Sequence, residues 1–242
     1  MNRPDLEPCA LDDALRRLGP SSTTQERLDV LRQVAEFWHG PISPDDGFSE
    51  EELRGKPIPF PLRWWFRLAG RRTSISSSLN SLLGPDELAT DSDGRLVFYV
   101  EAQAVYVWAT MPDGDDPPVF GRFNEPEIPW TQEGMTLSEF LLGACLFEGI
   151  INAPFAAWAS WVEQSTLDML AAELSPLPLI PWRWPAFPGR FFARNGAAMF
   201  VCSNDDRRGN TAFTIRAGAK SEEPLAFLKE IVDDGWEYVA LG

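Results

Sequence analysis

The sequence has one histidine and three cysteines, and its 21 basic residues are outnumbered by 36 acidic ones. Each shortage closes off a chemistry. A single imidazole, His39, cannot build the multi-histidine sites that hold zinc. It is also the only base a Ser-His-Asp or Cys-His arrangement would have. Its place at the end of a helical pattern is explained by the helix dipole, which favours a cation there. Cys9, Cys145 and Cys202 are odd in number, far apart, and form no CxxC pair. Neither a disulfide framework nor a thiolate metal site follows, and reduced thiols in a cytoplasmic protein are the simplest account. Cys145 lies among leucines, the setting of an inert core thiol rather than a nucleophile. The phosphate-binding patterns GxGxxG and GxxxxGK[ST] are absent. These shortages lead us to expect no metal, no cofactor and no catalysis. The opening MNRPDLEPCALDDAL is acidic and lacks an apolar run, so no secretory signal is expected. The longest charge-free helical stretch, 149–162, is interrupted by Pro154 and too short to span a bilayer.

The net charge of −15 over 242 residues carries the most information. Such a field repels nucleic acid and anionic membranes. Adjacent basic residues occur only as Arg16-Arg17, Arg71-Arg72 and Arg207-Arg208, with no aromatic interleaving, so neither nucleic acid nor membrane is an expected partner. The same field attracts a basic protein surface and speeds encounter with it. Its plainer use is a solvated, soluble exterior.

What is present is the material of a folded chain. Apolar residues make up 44% and aromatics 12%, with ten tryptophans and sixteen phenylalanines, which argues against disorder. Thr23 (or Ser22) followed by Glu26 (or Gln25) signals a capped helix over 22–38, ended by Gly40-Pro41. A short helix is expected from Leu62 to Leu68, capped by Gly70. After the Asp93-Gly94 turn come two strand patterns, 96–100 and 105–108, separated by Glu101-Ala102-Gln103-Ala104. If the chain stays extended there, Tyr99, Glu101 and Gln103 share one face. An acidic turn at 111–118, a strand at 119–123 and a Pro-rich loop at 124–131 follow. Thr136 and Glu139 then cap a broadly apolar helix. Residues 152–175 read as a connection and a helix capped by Ser165, and 176–189 as a proline-rich crossover. Beyond it lie strands at 191–194, 197–202 and 212–217, a polar turn at 205–210, a helix capped by Ser221, and a last strand at 236–241. The fold class is α+β: a twisted mixed, largely antiparallel sheet flanked by helices, as residues 1–175, with a C-terminal α+β extension over 176–242.

Paired carboxylates are the one catalytic option the composition leaves. Glu101 with Asp113, Asp115 or Asp116 would suit a glycosidase-like hydrolase, although with so many acids a chance pair is expected. Trp64-Trp65, Trp182 and Trp184 fit packing better than a sugar platform.

An ordered set of segments carries a family resemblance: PFPLRWWFRLAG, DGRLVFYVEAQAVYVWA, DGDDPPVFGRF, a Trp-bearing loop and MTLSEFLL. Over about residues 58–150 the chain resembles the SUKH superfamily of cell-wall-synthesis regulators and bacterial immunity proteins. The family's E-x-Q element before V-Y-x-W corresponds to Glu101, Gln103, Val105, Tyr106 and Trp108, while Ala102 and Ala104 stand where the family often has Asn and Gly. The resemblance implies a non-catalytic protein that binds and neutralises a co-encoded toxin, basic if it acts on nucleic acid. The contact surface is expected on Glu101, Gln103 and Trp108, surrounded by Asp113, Asp115, Asp116, Glu125 and Trp130, with aromatics as anchors and acids steering. A regulatory or scaffold module without a toxin is the alternative partner-binding role.

Overall fold

A computed structural model describes residues 10–19, 21–75, 77–204 and 212–241. In chain order the helices are α1 (Ala10–Arg16), α2 (Thr24–His39), α3 (Phe60–Ala69), α4 (Leu137–Ile151) and α5 (Gln164–Glu173). The strands are β1 (Ser81–Leu82), β2 (Ala89–Thr90), β3 (Leu96–Val100), β4 (Tyr106–Thr110), β5 (Pro118–Phe123), β6 (Thr131–Thr136), β7 (Phe155–Val162), β8 (Ser175–Pro176), β9 (Arg190–Arg194), β10 (Ala197–Ser203), β11 (Phe213–Ala219) and β12 (Tyr238–Ala240). The fold is α+β, and its strands form two six-stranded sheets. Every described pairing is antiparallel, so the expected mixed sheet is corrected to purely antiparallel ones.

The chain divides into two compact units, Ser22–Glu148 and Met1–Ser21 with Gly149–Gly242. The division therefore falls inside α4, not at 175/176. The reason is β7. Residues 155–162 are not a connection but a strand lying between β12 and β11 in the second sheet.

In the unit 22–148 the sheet runs β1-β3-β4-β5-β6, with β2 also on β3. Thr23 and Glu26 close the reciprocal capping box that starts α2. Pro61 in the first turn of α3 gives up an N–H that the helix would leave unpaired anyway. One face of the sheet packs on α4 through Phe140, whose ring lies 5.2 Å from Phe98, 5.3 Å from Tyr99 and 5.5 Å from Trp108. Phe98 and Tyr99 are consecutive, yet both are buried. A register shift between Val97 and Tyr99 explains this, because a bulge suspends the alternation of side chains. The start of α4 is tied down by three segments. Asp116 accepts from the backbone N–H and the hydroxyl of Ser138 at 2.8 and 2.7 Å, and from the Thr24 hydroxyl at 3.0 Å. Glu139 accepts from the Thr136 N–H at 2.8 Å and pairs with Arg27 at 3.0 Å.

The other unit has the strand order β12-β7-β11-β10-β9-β8. Ala157, Ala159, Met199, Val201, Ile215 and Ala217 form its core with Leu170, Leu225 and Leu228. Two expected caps are corrected: the N-cap position of α5 is Glu163, which makes no side-chain cap, rather than Ser165, and the Ser221 helix is a 3-10 segment, Glu223–Glu230, also without a side-chain cap. Asn195 and Gly196 both have positive φ, 55° and 82°, the geometry of a tight hairpin turn between β9 and β10. Cys9 and the 205–210 turn lie outside the described residues.

Candidate functional site

The polar break between the two strand patterns is a chain reversal. Ala104 has φ +57°, its N–H bonds the Glu101 carbonyl at 2.7 Å, and the Glu101 N–H bonds the Tyr106 carbonyl at 3.0 Å. The expected extended chain through 101–103 is therefore corrected, and Tyr99 does not share a face with Gln103. Glu101 folds its carboxylate back over the turn. Its Oε2 accepts from the N–H of Gln103 at 2.9 Å and of Val105 at 3.4 Å. Asn80 Oδ1 accepts from the Ala102 N–H at 3.2 Å. The turn is thus clamped by side chains, while Ala102, Gln103, Ala104 and Val105 stay exposed.

A second segment joins it at the same end of the sheet. Beyond Phe123, the cross-strand partner of Tyr106, the Asn124 N–H donates to the Val105 carbonyl and the Asn124 side-chain amide to the Ala104 carbonyl, both at 2.9 Å. Val105 and Phe123 are 43% and 49% exposed. Around them, segments 101–105 and 123–127 carry Glu101, Glu125 and Glu127 and no basic residue. The arrangement is two exposed apolar side chains within an acidic rim, held by fixed hydrogen bonds.

Of the residues expected at the site, only Glu101, Gln103 and Glu125 come together here. Trp108 is 2% exposed and belongs to the core, its ring tilted against Tyr99 at 5.4 Å and edge-on to Tyr106 at 5.0 Å. It cannot serve as a surface anchor. Asp113 and Asp115 are exposed, but on the loop after Thr110. That is the far end of β4, roughly 14 Å from Tyr106 at ~3.4 Å per residue. Asp116 is committed to Ser138 and Thr24 and lies 3.7 Å from Arg27, so it is structural. Trp130 faces inward: its indole N–H donates to Asp91 at 2.7 Å, and the Arg122 guanidinium covers its ring at 4.3 Å. Glu101 and Asp116, the pair considered for hydrolysis, lie at opposite ends of β4 and do not meet in one cleft. Glycosidic carboxylates stand about 5–9.5 Å apart.

Sequence reasoning did not place Val105 and Phe123 at the site, because strand patterns do not reveal which apolar residues at the end of a strand pair stay open to solvent. Asp91 was also missed. Burial would raise its pKa, but the N–H of Arg95, the Trp130 indole, the N–H of Asp93 and the Arg122 charge together hold it below the usual 3.8. Elsewhere, Glu148 is fully buried on α4 and accepts from the N–H of Leu79 at 2.7 Å, the N–H of Asn80 at 3.0 Å and the Tyr99 hydroxyl. Its spacing from Ala144 and Cys145 puts an acid on the apolar stripe, which was a visible signal. Burial pushes the Cys145 thiol far up, and the Cys202 thiol up to about 11, so neither is a thiolate at neutral pH. Among the described residues no cluster of three or more His, Cys, Asp and Glu is placed to hold a metal ion, and no helix is long and apolar enough to cross a membrane. Compared with known proteins, the chain matches no family model, no curated protein and no solved structure.

Proposed function

We propose that this chain is a non-catalytic, cytoplasmic binding protein of the SUKH type. It acts as an immunity protein that neutralises a basic, co-encoded toxin by direct association. The observation that supports this reading is the docking end of the first sheet, where exposed Val105 and Phe123 sit among Glu101, Glu125 and Glu127. Desolvated apolar side chains supply affinity at a protein interface, and rim charges of one sign supply steering and on-rate. An acidic inhibitor of this kind can cover the surface where a nucleic-acid-directed toxin would receive phosphates. The surface includes Glu101, Gln103 and Glu125 of the residues first singled out, with Val105, Phe123 and Glu127 added.

The test is to co-express the chain with the product of its neighbouring gene, purify at low salt, and measure rescue of growth. A complex is expected, weakened about 30-fold by Phe123→Asp, the equivalent of a ~2 kcal/mol hot spot, in a variant that circular dichroism shows to be folded. Absence of a complex at low salt would remove this partner. A complex with a non-toxic neighbour would favour a regulatory or scaffold role at the same surface.

A further inference from the structure

The docking end rests on one arginine. Arg122, on β5, is 14% exposed, and its guanidinium is surrounded by the loop that follows it. One terminal nitrogen, Nη1, donates to the carbonyls of Pro126 at 3.3 Å and Ile128 at 3.4 Å. The other, Nη2, lies 3.9 Å from the Asp91 carboxylate. The guanidinium plane covers Trp130, whose indole N–H is bonded to the same carboxylate. Segment 124–130 is thus wrapped around a cation, with two carbonyls, one ring and one shared carboxylate as its contacts. At its near end Asn124 bonds both Ala104 and Val105. Glu125 and Glu127 lie between these two attachments.

A flexible acidic loop would lose side-chain and backbone freedom on binding, and that loss subtracts from affinity. A loop set beforehand avoids it. We propose that Arg122 is a positioning residue for partner recognition: it fixes the path of 124–130 and thereby presents Glu125 and Glu127 beside Val105 and Phe123 to a basic protein surface. This rests on the binding role proposed above. Only the forked guanidinium suits the place. A lysine ammonium is a point charge that cannot address two carbonyls, a carboxylate and a ring face in fixed directions.

The experiment pairs two readouts on Arg122→Lys and Arg122→Met. In the free chain, hydrogen exchange is expected to speed up at least tenfold over 124–130 while β3 and β4 amides keep their protection. With the neighbouring gene's product, association at low salt is expected to slow at least fivefold. Glu125→Gln and Glu127→Gln should then matter less in the Arg122→Lys background than in the wild type, a coupling that a simple loss of stability would not produce. Unchanged exchange over 124–130 overturns the inference, as does unchanged association by a variant whose loop has loosened. If the wild type itself does not bind the neighbour, the binding role fails while the exchange result still decides whether Arg122 sets the loop.

Discussion

The phenolic hydroxyl of Tyr99 donates to Oε1 of Glu148 at 2.9 Å, with both side chains buried between the first sheet and α4. Burial first, and then the Glu148 charge, raise the Tyr99 pKa well above 10.0. The native state keeps this proton where the unfolded chain releases it. Its stabilising effect is therefore complete below pH 10 and declines as pH rises beyond it. Urea titrations at pH 8, 10 and 11 should show that decline in the wild type and a shallower one in Tyr99→Phe. At pH 8 the substitution should cost about 2 kcal/mol, the worth of a hydrogen bond to a charged group. Glu148→Ala should cost more, about 3 kcal/mol or above, because it also orphans the N–H groups of Leu79 and Asn80.

Gly121 faces the same core. A Cβ there would stand 2.0 Å from Glu133 Oε1 and 2.6 Å from the Tyr106 hydroxyl, two groups already bonded to each other at 3.2 Å. Gly121→Ala must displace both, and overpacking of this kind costs about 1–3 kcal/mol. Denaturant midpoints with an unchanged m-value would confirm the size. Loosened Tyr106 should appear as a shifted aromatic signature, since its ring touches Trp108 and Phe123.

The parts of this fold legible in the sequence are those set by local rules. Thr23 and Glu26 cap α2 wherever the helix goes, and the dense β-branched and aromatic runs around 96–100 and 106–110 pair as strands. What could not be read depends on distant neighbours. β7 is FAAWASWV, and its alanines favour helix. It is a strand because those alanines pack between β11 and β12, where tertiary contacts override propensity. Trp108 was misplaced because every residue of β4 is buried, so alternation carried no information about which face was open. The reversal at 101–105 could not be read either, because the N–H groups of Gln103 and Val105 that the Glu101 carboxylate holds become reachable only when the chain turns back.

Ala104 carries a measurable cost of that turn. At φ +57° an L-residue with a Cβ is disfavoured by roughly 1–2 kcal/mol. Glycine removes the clash but frees the unfolded chain, so Ala104→Gly should stabilise by a net ~0.5–1 kcal/mol. Thermal melts of the purified variant would read this directly, and a lower melting temperature would contradict it. The substitution leaves the Asn124 bond to the Ala104 carbonyl in place.

Asp12 tests the assignment of the first helix to the second half of the chain. It lies on α1, is 3% exposed, and its carboxylate accepts from the backbone N–H of both Asn195 and Gly196. These are the two positive-φ residues of the β9–β10 turn, so one side chain satisfies the donors at the corner of a hairpin 183 residues away in sequence. An uncompensated buried N–H costs about 1–3 kcal/mol. Asp12→Ala orphans two and also removes the carboxylate 3.6 Å from Arg16, whose own guanidinium is mostly exposed and adds little by this pairing. The expected loss is about 2–3 kcal/mol, expressed locally. Hydrogen exchange should quicken over 190–203 while 96–110 stays protected. Asp12→Asn should lie between wild type and Asp12→Ala, because an amide oxygen still accepts but carries no charge. Equal exchange in wild type and Asp12→Ala would mean that the hairpin forms without α1.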